Sequence, residues 1–133
     1  MTKFERYVFV YGTLRHGEAN DINRLSPPPR FVGPAVIAGV MVHLGTYPGV
    51  LLRPGGAVIG EVYAIAPELE RKLDEIEEIY PQRRNEYVKR DVRLAVGERE
   101  LDCLVYEINA AYAKGKPVIA SGDWVKARAT VKL

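Results

Sequence analysis

The run Arg6-Tyr7-Val8-Phe9-Val10-Tyr11 constrains the fold of this chain more than any other segment. Its residues are β-branched or aromatic almost throughout, and apolar side chains fall on both alternating faces. A strand of that kind needs cover on both sides, so the run predicts a central strand of a packed sheet. It ends at Gly12.

Further strands are predicted at 58–65 and in a hairpin, 87–96 with 100–108, turning at Gly97-Glu98. The stretch from Phe31 to Leu44 is also β-type, with a break near Gly39. Thr46-Tyr47-Pro48-Gly49 and Arg53-Pro54-Gly55-Gly56 read as turns. A short helix is expected within 18–25. Pro67 opens a longer one, since its missing N–H would lack a helical partner anyway; that helix is expected to reach about Ile79 and stop before Pro81. The tail from Asn109 is weakly patterned, apart from Ser121-Gly122-Asp123-Trp124, a turn followed by an anchoring aromatic. Strands outnumber helices and do not alternate with them regularly. The expectation is an α+β fold with a mixed, largely antiparallel sheet.

A chain of 133 residues fits one domain, residues 1–133, and 47% hydrophobic content suffices for a core and a small pocket. The net charge of +2 is too mild to imply nucleic acid. The basic cluster of Arg83, Arg84, Lys89 and Arg90 is interleaved with Glu86 and Asp91, so a solvated or substrate-facing edge is expected there. Cys103, the only cysteine, lies in an apolar run and reads as a buried structural thiol. No apolar stretch approaches the roughly 20 residues that span a bilayer, and the first residues lack a secretory layout. The cytoplasm is the expected location, with no membrane partner.

Phosphate loops, dinucleotide fingerprints and metal-spaced His or Cys clusters do not occur in the sequence. His16 and His43 have no obvious carboxylate partner. Two features remain. The first strand runs straight into Gly12-Thr13, where successive backbone amides released from the sheet can form a nest for a carboxylate. Glycine after a strand is commonplace, and a plain tight turn is the commoner reading. The second feature is the helix after Pro67. Leu69, Leu73, Ile76 and Tyr80 share one face, and Glu77 lies roughly 40° around from Leu73 at its margin. A carboxylate there is partly desolvated and becomes a better proton acceptor. Glu70 lies near the same margin, and spacing alone does not choose between them.

Taken in order, these residues resemble the γ-glutamylcyclotransferase-like superfamily, especially its γ-glutamylamine cyclotransferase branch. The resemblance rests on Tyr11-Gly12-Thr13-Leu14-Arg15, Tyr47-Pro48-Gly49-Val50, Gly60-Glu61-Val62-Tyr63 and Leu73-Asp74-Glu75-Ile76-Glu77. Tyr87 with Lys89-Arg90 and Val92, and Ser121-Gly122-Asp123-Trp124, extend it over most of the chain. It implies a small mixed, largely antiparallel β-barrel flanked by short helices. It also implies that Tyr11, Gly12, Thr13 and Leu14 bind the glutamyl end of a small γ-glutamyl substrate, and that Glu77 rather than Glu70 is the catalytic acid/base. The implied reaction is attack of the substrate's α-amine on its own γ-carbonyl, giving 5-oxoproline without a metal or organic cofactor. Lys89 stands where the branch often has Arg, and the segment 80–86 is longer than usual. Leaving-group preference therefore does not carry over. The alternative is a non-catalytic or regulatory module binding a small carboxylate on the same fold; nucleic-acid binding through the Arg83–Arg90 region is a third.

Overall fold

A computed structural model describes residues 6–76 and 86–130. Among these residues the strands are β1 (Arg6–Val10), β2 (Arg30–Ala38), β3 (Val40–His43), β4 (Pro48–Leu51), β5 (Ala57–Ile65), β6 (Tyr87–Val96) and β7 (Arg99–Ile108). The helices are α1 (Pro67–Asp74), α2 (Ala110–Ala113) and α3 (Trp124–Thr130), and a 3-10 turn covers Ile22–Arg24.

The apolar run that begins at Arg6 supplies the middle strand of a five-stranded sheet ordered β2-β5-β1-β7-β6. β1 pairs antiparallel with β5, Arg6 opposite Ile65, and parallel with β7, Tyr7 opposite Cys103. β6 and β7 form the expected hairpin, from Tyr87 opposite Ile108 to Val96 opposite Arg99. β3 and β4 make a separate two-stranded ribbon.

The period of two explains the double cover. Val8 and Val10 join Tyr63, Ile65, Leu104, Ile108, Leu69 and Leu73 in one cluster. Phe9 and Tyr11 point into another, with Val62, Cys103, Val105, Ile37, Val96 and Trp124. α1 covers the first cluster through Leu69 and Leu73, both fully buried. Each such leucine contributes about 1.5–3 kcal/mol. Pro67 sits in the first turn of α1 as expected, with Glu68 and Glu70 at its positive end and Arg71 and Lys72 in its last turn.

The expected β-barrel is not what forms. Residues of both outer strands, Ile37 of β2 and Val96 of β6, share one core cluster, so the sheet is strongly curled. A Cβ added at Gly33 of β2 would lie 2.8 Å from Val96 Cγ1 of β6. Among the described residues no hydrogen-bonded ladder joins β2 to β6, and the sheet keeps two edges. The outer strands meet through side chains rather than backbone, and Pro34 in β2 suits an edge position. The architecture is mixed α+β with an open curled sheet.

Two local expectations also change. The segment expected as a turn around Pro48-Gly49 enters β4, and the helix expected within 18–25 is reduced to the 3-10 turn. No helix among the described residues is long and apolar enough to cross a membrane.

Candidate active site

The chain leaves β1 at Val10 and folds back on itself through residues 11–25. The carbonyls of this loop are used inside it: Gly12 O accepts from Arg15 N at 3.0 Å, Thr13 O from Asn20 N at 2.8 Å and Leu14 O from Ile22 N at 2.9 Å. Asn20 Nδ2 donates to Thr13 Oγ1 at 3.1 Å. The amides of Gly12, Thr13 and Leu14 meet no acceptor among the described residues. That leaves three closely spaced donors next to a cavity, the arrangement a small anion requires.

Gly12 is required for space rather than for an unusual φ. It is not among the positive-φ glycines, but a Cβ there would lie 2.8 Å from Pro48 Cγ and 2.9 Å from Pro48 Cδ. The β3–β4 ribbon therefore presses against the loop at this one point.

A cavity of about 450 Å³ opens beside the loop, a size suited to a small metabolite. Tyr11, Gly12, Thr13 and Leu14 line it, together with Asn20 from the same loop. Tyr47 and Pro48, Glu86 and Tyr87, and Tyr106 of β7 complete much of its wall. Ile76, which follows α1 and immediately precedes Glu77 in sequence, lines it as well. Glu77 itself, like Tyr80, Arg83 and Arg84, lies outside the described residues.

The tyrosines hold fixed positions. Tyr11 Oη donates to Tyr106 O at 2.6 Å, and Tyr87 Oη to Pro48 O at 2.9 Å. Tyr106 Oη donates to Asp74 Oδ1 at 2.6 Å, and Tyr47 Oη to Glu86 Oε2 at 2.5 Å. An aromatic wall anchored in this way keeps its shape when a guest enters.

Glu70, the other candidate acid, does not line this cavity. Its carboxylate takes Lys89 Nζ at 2.8 Å and faces Arg6 Nε at 3.6 Å. Lys89 also reaches Asp74 Oδ2 at 3.1 Å. Burial opposes the Lys89 charge, but the hydrogen bonds it donates to Glu70 and Asp74, with their negative charge, outweigh this and hold the pKa above the ordinary lysine value. Arg90 Nε pairs with Glu107 Oε1 at 3.0 Å. Neither Lys89 nor Arg90 is in the cavity wall; both stand in partly exposed ion pairs, which fits the solvated rather than the substrate-facing reading of this edge.

Arg15 closes the loop from behind. Its Nε donates to Glu61 Oε2 of β5 at 2.9 Å and its Nη1 to Asp123 Oδ1 at 2.9 Å. Glu61 Oε1 accepts from His16 N at 3.0 Å and from Tyr63 Oη at 3.1 Å. Burial first, with Glu61 and Asp21 adding negative charge, pushes the Tyr63 hydroxyl up to about 12 despite the hydrogen bond from Asn23. Three sequence segments far apart in the chain thus form one polar cluster. Gly122 takes part because its φ is +67° and a Cβ there would lie 1.7 Å from Ala57 O. Its own carbonyl accepts from Ile59 N at 2.8 Å.

The remaining sequence candidates play other parts. His16 is exposed, and its imidazole stands 3.8 Å from Asp21. His43 Nδ1 accepts from Gly45 N at 3.0 Å, and its ring meets Trp124 edge-on at 5.4 Å. Among the described residues no group of three His, Cys, Asp or Glu could hold a metal ion. The sequence reading missed Glu86 and the cavity roles of Tyr47 and Tyr106. Glu86 was read only as a charge within a basic cluster, and local sequence carries no sign of its proximity to Tyr47, 39 positions earlier.

Comparison with known proteins identifies relatives of the chain. The model of the family described as gamma-glutamyl cyclotransferase, AIG2-like, matches residues 8–126. The gamma-L-glutamyl-butirosin B gamma-glutamyl cyclotransferase of Niallia circulans is 40% identical over 74 residues, which are 55% of this chain and 46% of that protein. The gamma-glutamylcyclotransferase family protein YtfP of Escherichia coli K12 is 32% identical over 120 residues, 89% of this chain and 95% of that one. Among solved structures, an AIG2-like protein of Mus musculus superposes with a TM-score of 0.70 at 27% identity, covering 84% of this chain and 82% of that one. The chain spans about half the length of the first curated relatives it matches. With its matched region running from β1 into α3, the chain belongs to the gamma-glutamyl cyclotransferase, AIG2-like family.

Proposed function

We propose that the protein cyclises γ-glutamyl compounds, releasing 5-oxoproline and an amine. The amides of Gly12, Thr13 and Leu14 receive the substrate's α-carboxylate, and Tyr11 forms the adjoining wall. Glu77 takes a proton from the α-ammonium, and the freed amine attacks the γ-carbonyl. Glu77 then returns a proton to the nitrogen that leaves. As the new C–N bond forms, the attacking nitrogen gives up its second surplus proton, and the old C–N bond breaks. Two protons in all pass from the α-nitrogen to the departing amine, which leaves as an ammonium, without a cofactor.

The single observation that carries this reading is the shared cavity. The amide-rich loop and Ile76, the residue before Glu77, line the same space. Nucleophile and electrophile belong to one molecule, so the protein's main task is to hold a bent substrate, and effective molarities for such closures are large. The tyrosine-anchored wall suits that task. Membership of the family supports the reaction class, and the Niallia circulans relative is named for a γ-L-glutamyl compound.

The test is release of 5-oxoproline by purified protein from a panel of γ-glutamyl amines and γ-glutamyl amino acids. Release from at least one of them is expected. Calorimetric binding of 5-oxoproline without turnover across the panel would instead favour a carboxylate-binding module.

A further inference from the structure

We infer that Glu86 selects the leaving group, favouring γ-glutamyl amides whose departing amine carries a second, positively charged nitrogen. The inference rests on the cyclase reading above and adds the substrate's other half to it.

Glu86 is a carboxylate in the cavity wall, at the start of the hairpin that carries Tyr87. Its backbone carbonyl is held by Asn109 N at 2.7 Å, which fixes where the side chain starts. Oε2 accepts the Tyr47 hydroxyl at 2.5 Å, which orients the carboxylate. No lysine, arginine or histidine among the described residues pairs with it. The cavity wall likewise contains no basic residue among those described. Elsewhere in the described structure carboxylates take cations readily: Glu70 holds Lys89, Glu107 holds Arg90 and Glu18 holds Arg128. Glu86 departs from that pattern.

A carboxylate fixed in a partly buried cavity attracts a cation and disfavours another anion. The aromatic faces of Tyr47 and Tyr87 beside it add a further preference for an alkylammonium group. The loop amides already account for the one negative group of a γ-glutamyl unit. A leaving group with its own carboxylate, as in an ordinary γ-glutamyl amino acid, would bring a second anion into a wall whose described charge is negative. A leaving diamine would bring the matching cation.

The experiment compares kcat/KM for three substrates: mono-γ-glutamyl-1,4-diaminobutane, γ-glutamyl-butylamine and γ-glutamyl-alanine. The diamine compound is expected to lead the neutral amine by about tenfold, as a charge-assisted contact warrants. Glu86→Gln, which keeps the shape and an acceptor for Tyr47, is expected to erase that lead, and Glu86→Lys to favour γ-glutamyl-alanine. In the unaltered protein the lead is expected to shrink as ionic strength rises, a reading that needs no variant. Turnover of all three with equal kcat/KM, or a lead that survives Glu86→Gln, overturns the inference and leaves the cyclase reading standing. Release of 5-oxoproline from none of the three overturns the inference, and its absence across the wider panel of γ-glutamyl compounds overturns the cyclase reading as well.

Discussion

Arg15 Nη1 lies 2.9 Å from Asp123 Oδ1, joining the loop after the first strand to the turn before the last helix across 108 positions of chain. The same guanidinium holds Glu61 at 2.9 Å, and the three side chains are only 13%, 21% and 14% exposed in the order Arg15, Asp123, Glu61. Removing the cation would leave two carboxylates close together with little solvent. Arg15→Met is therefore expected to lower stability by about 2–3 kcal/mol. Arg15→Lys should recover only part of this, because a point ammonium cannot span both partners as a planar fork does. Urea denaturation of the three proteins checks it; equal midpoints would show that the cluster is ornamental.

The contact between Gly12 and Pro48 is a second place where the loop depends on a distant element. An added Cβ at 2.8 Å from the proline ring must push either the loop or β4 aside. Gly12→Ala is expected to cost about 1–3 kcal/mol and to reduce 5-oxoproline formation. Pro48→Ala in the same chain should restore part of the loss, since it removes the colliding atoms. A double-mutant cycle measures this coupling, and simple additivity would count against a direct clash.

How far these features were legible depended on the range of the interactions behind them. The double-faced run of β1, the β6–β7 hairpin and the start of α1 at Pro67 are local signals, and each was readable. From pattern alone the Gly12 bend reads as a plain tight turn, and only the family resemblance makes it a candidate site. Backbone freedom explains glycine there in the sequence, whereas the observed constraint is Pro48 packed against a missing side chain. Barrel closure was not legible, because it turns on whether β2 and β6 exchange backbone hydrogen bonds, and strand patterns say nothing of that. Ser121-Gly122-Asp123-Trp124 looked like an isolated turn, yet its role comes from Arg15, Ala57 and Ile59. The expected catalytic position, Glu77, lies outside the described residues, and its nearest described neighbour in sequence, Ile76, lines the cavity.

Cys103 is buried in β7, and burial, with a small contribution from Asp102, raises its thiol to about 11. Almost none of it is thiolate at pH 8, and no reagent reaches it in the folded protein. Iodoacetamide labelling at that pH is expected to follow global unfolding, so that urea and labelling curves share a midpoint. Rapid labelling without denaturant would contradict the burial of this strand.

Asp21 organises the segment that carries Asn20. Burial works against its charge, but the amides of Gly17 and Asn23, the Asn23 side chain and His16 together bring the pKa below the ordinary aspartate value. A carboxylate whose folded pKa is depressed contributes stability above its unfolded value and loses it as pH falls through the folded one. Asp21→Asn is expected to be less stable than the parent at pH 7. The gap should narrow as the pH falls from about 5 through the region below 4. Denaturant titrations at pH 7, 5 and 3.5 test this, and a gap that stays constant across them would remove Asp21 from the acid response.

Glu77→Gln addresses the proposed chemistry most directly. Glutamine matches the shape and one acceptor of the carboxylate but cannot carry a proton between two nitrogens. If Glu77 is the acid/base, kcat for 5-oxoproline release should fall by about 100- to 10,000-fold, with a much smaller change in KM. The loop amides would still hold the glutamyl carboxylate, so 5-oxoproline should bind the variant about as tightly as the parent. Loss of turnover with binding retained separates chemistry from recognition. Turnover unchanged in the variant would move the proton-transfer role to another group, and Glu86, the carboxylate in the described cavity wall, would be the next residue to replace.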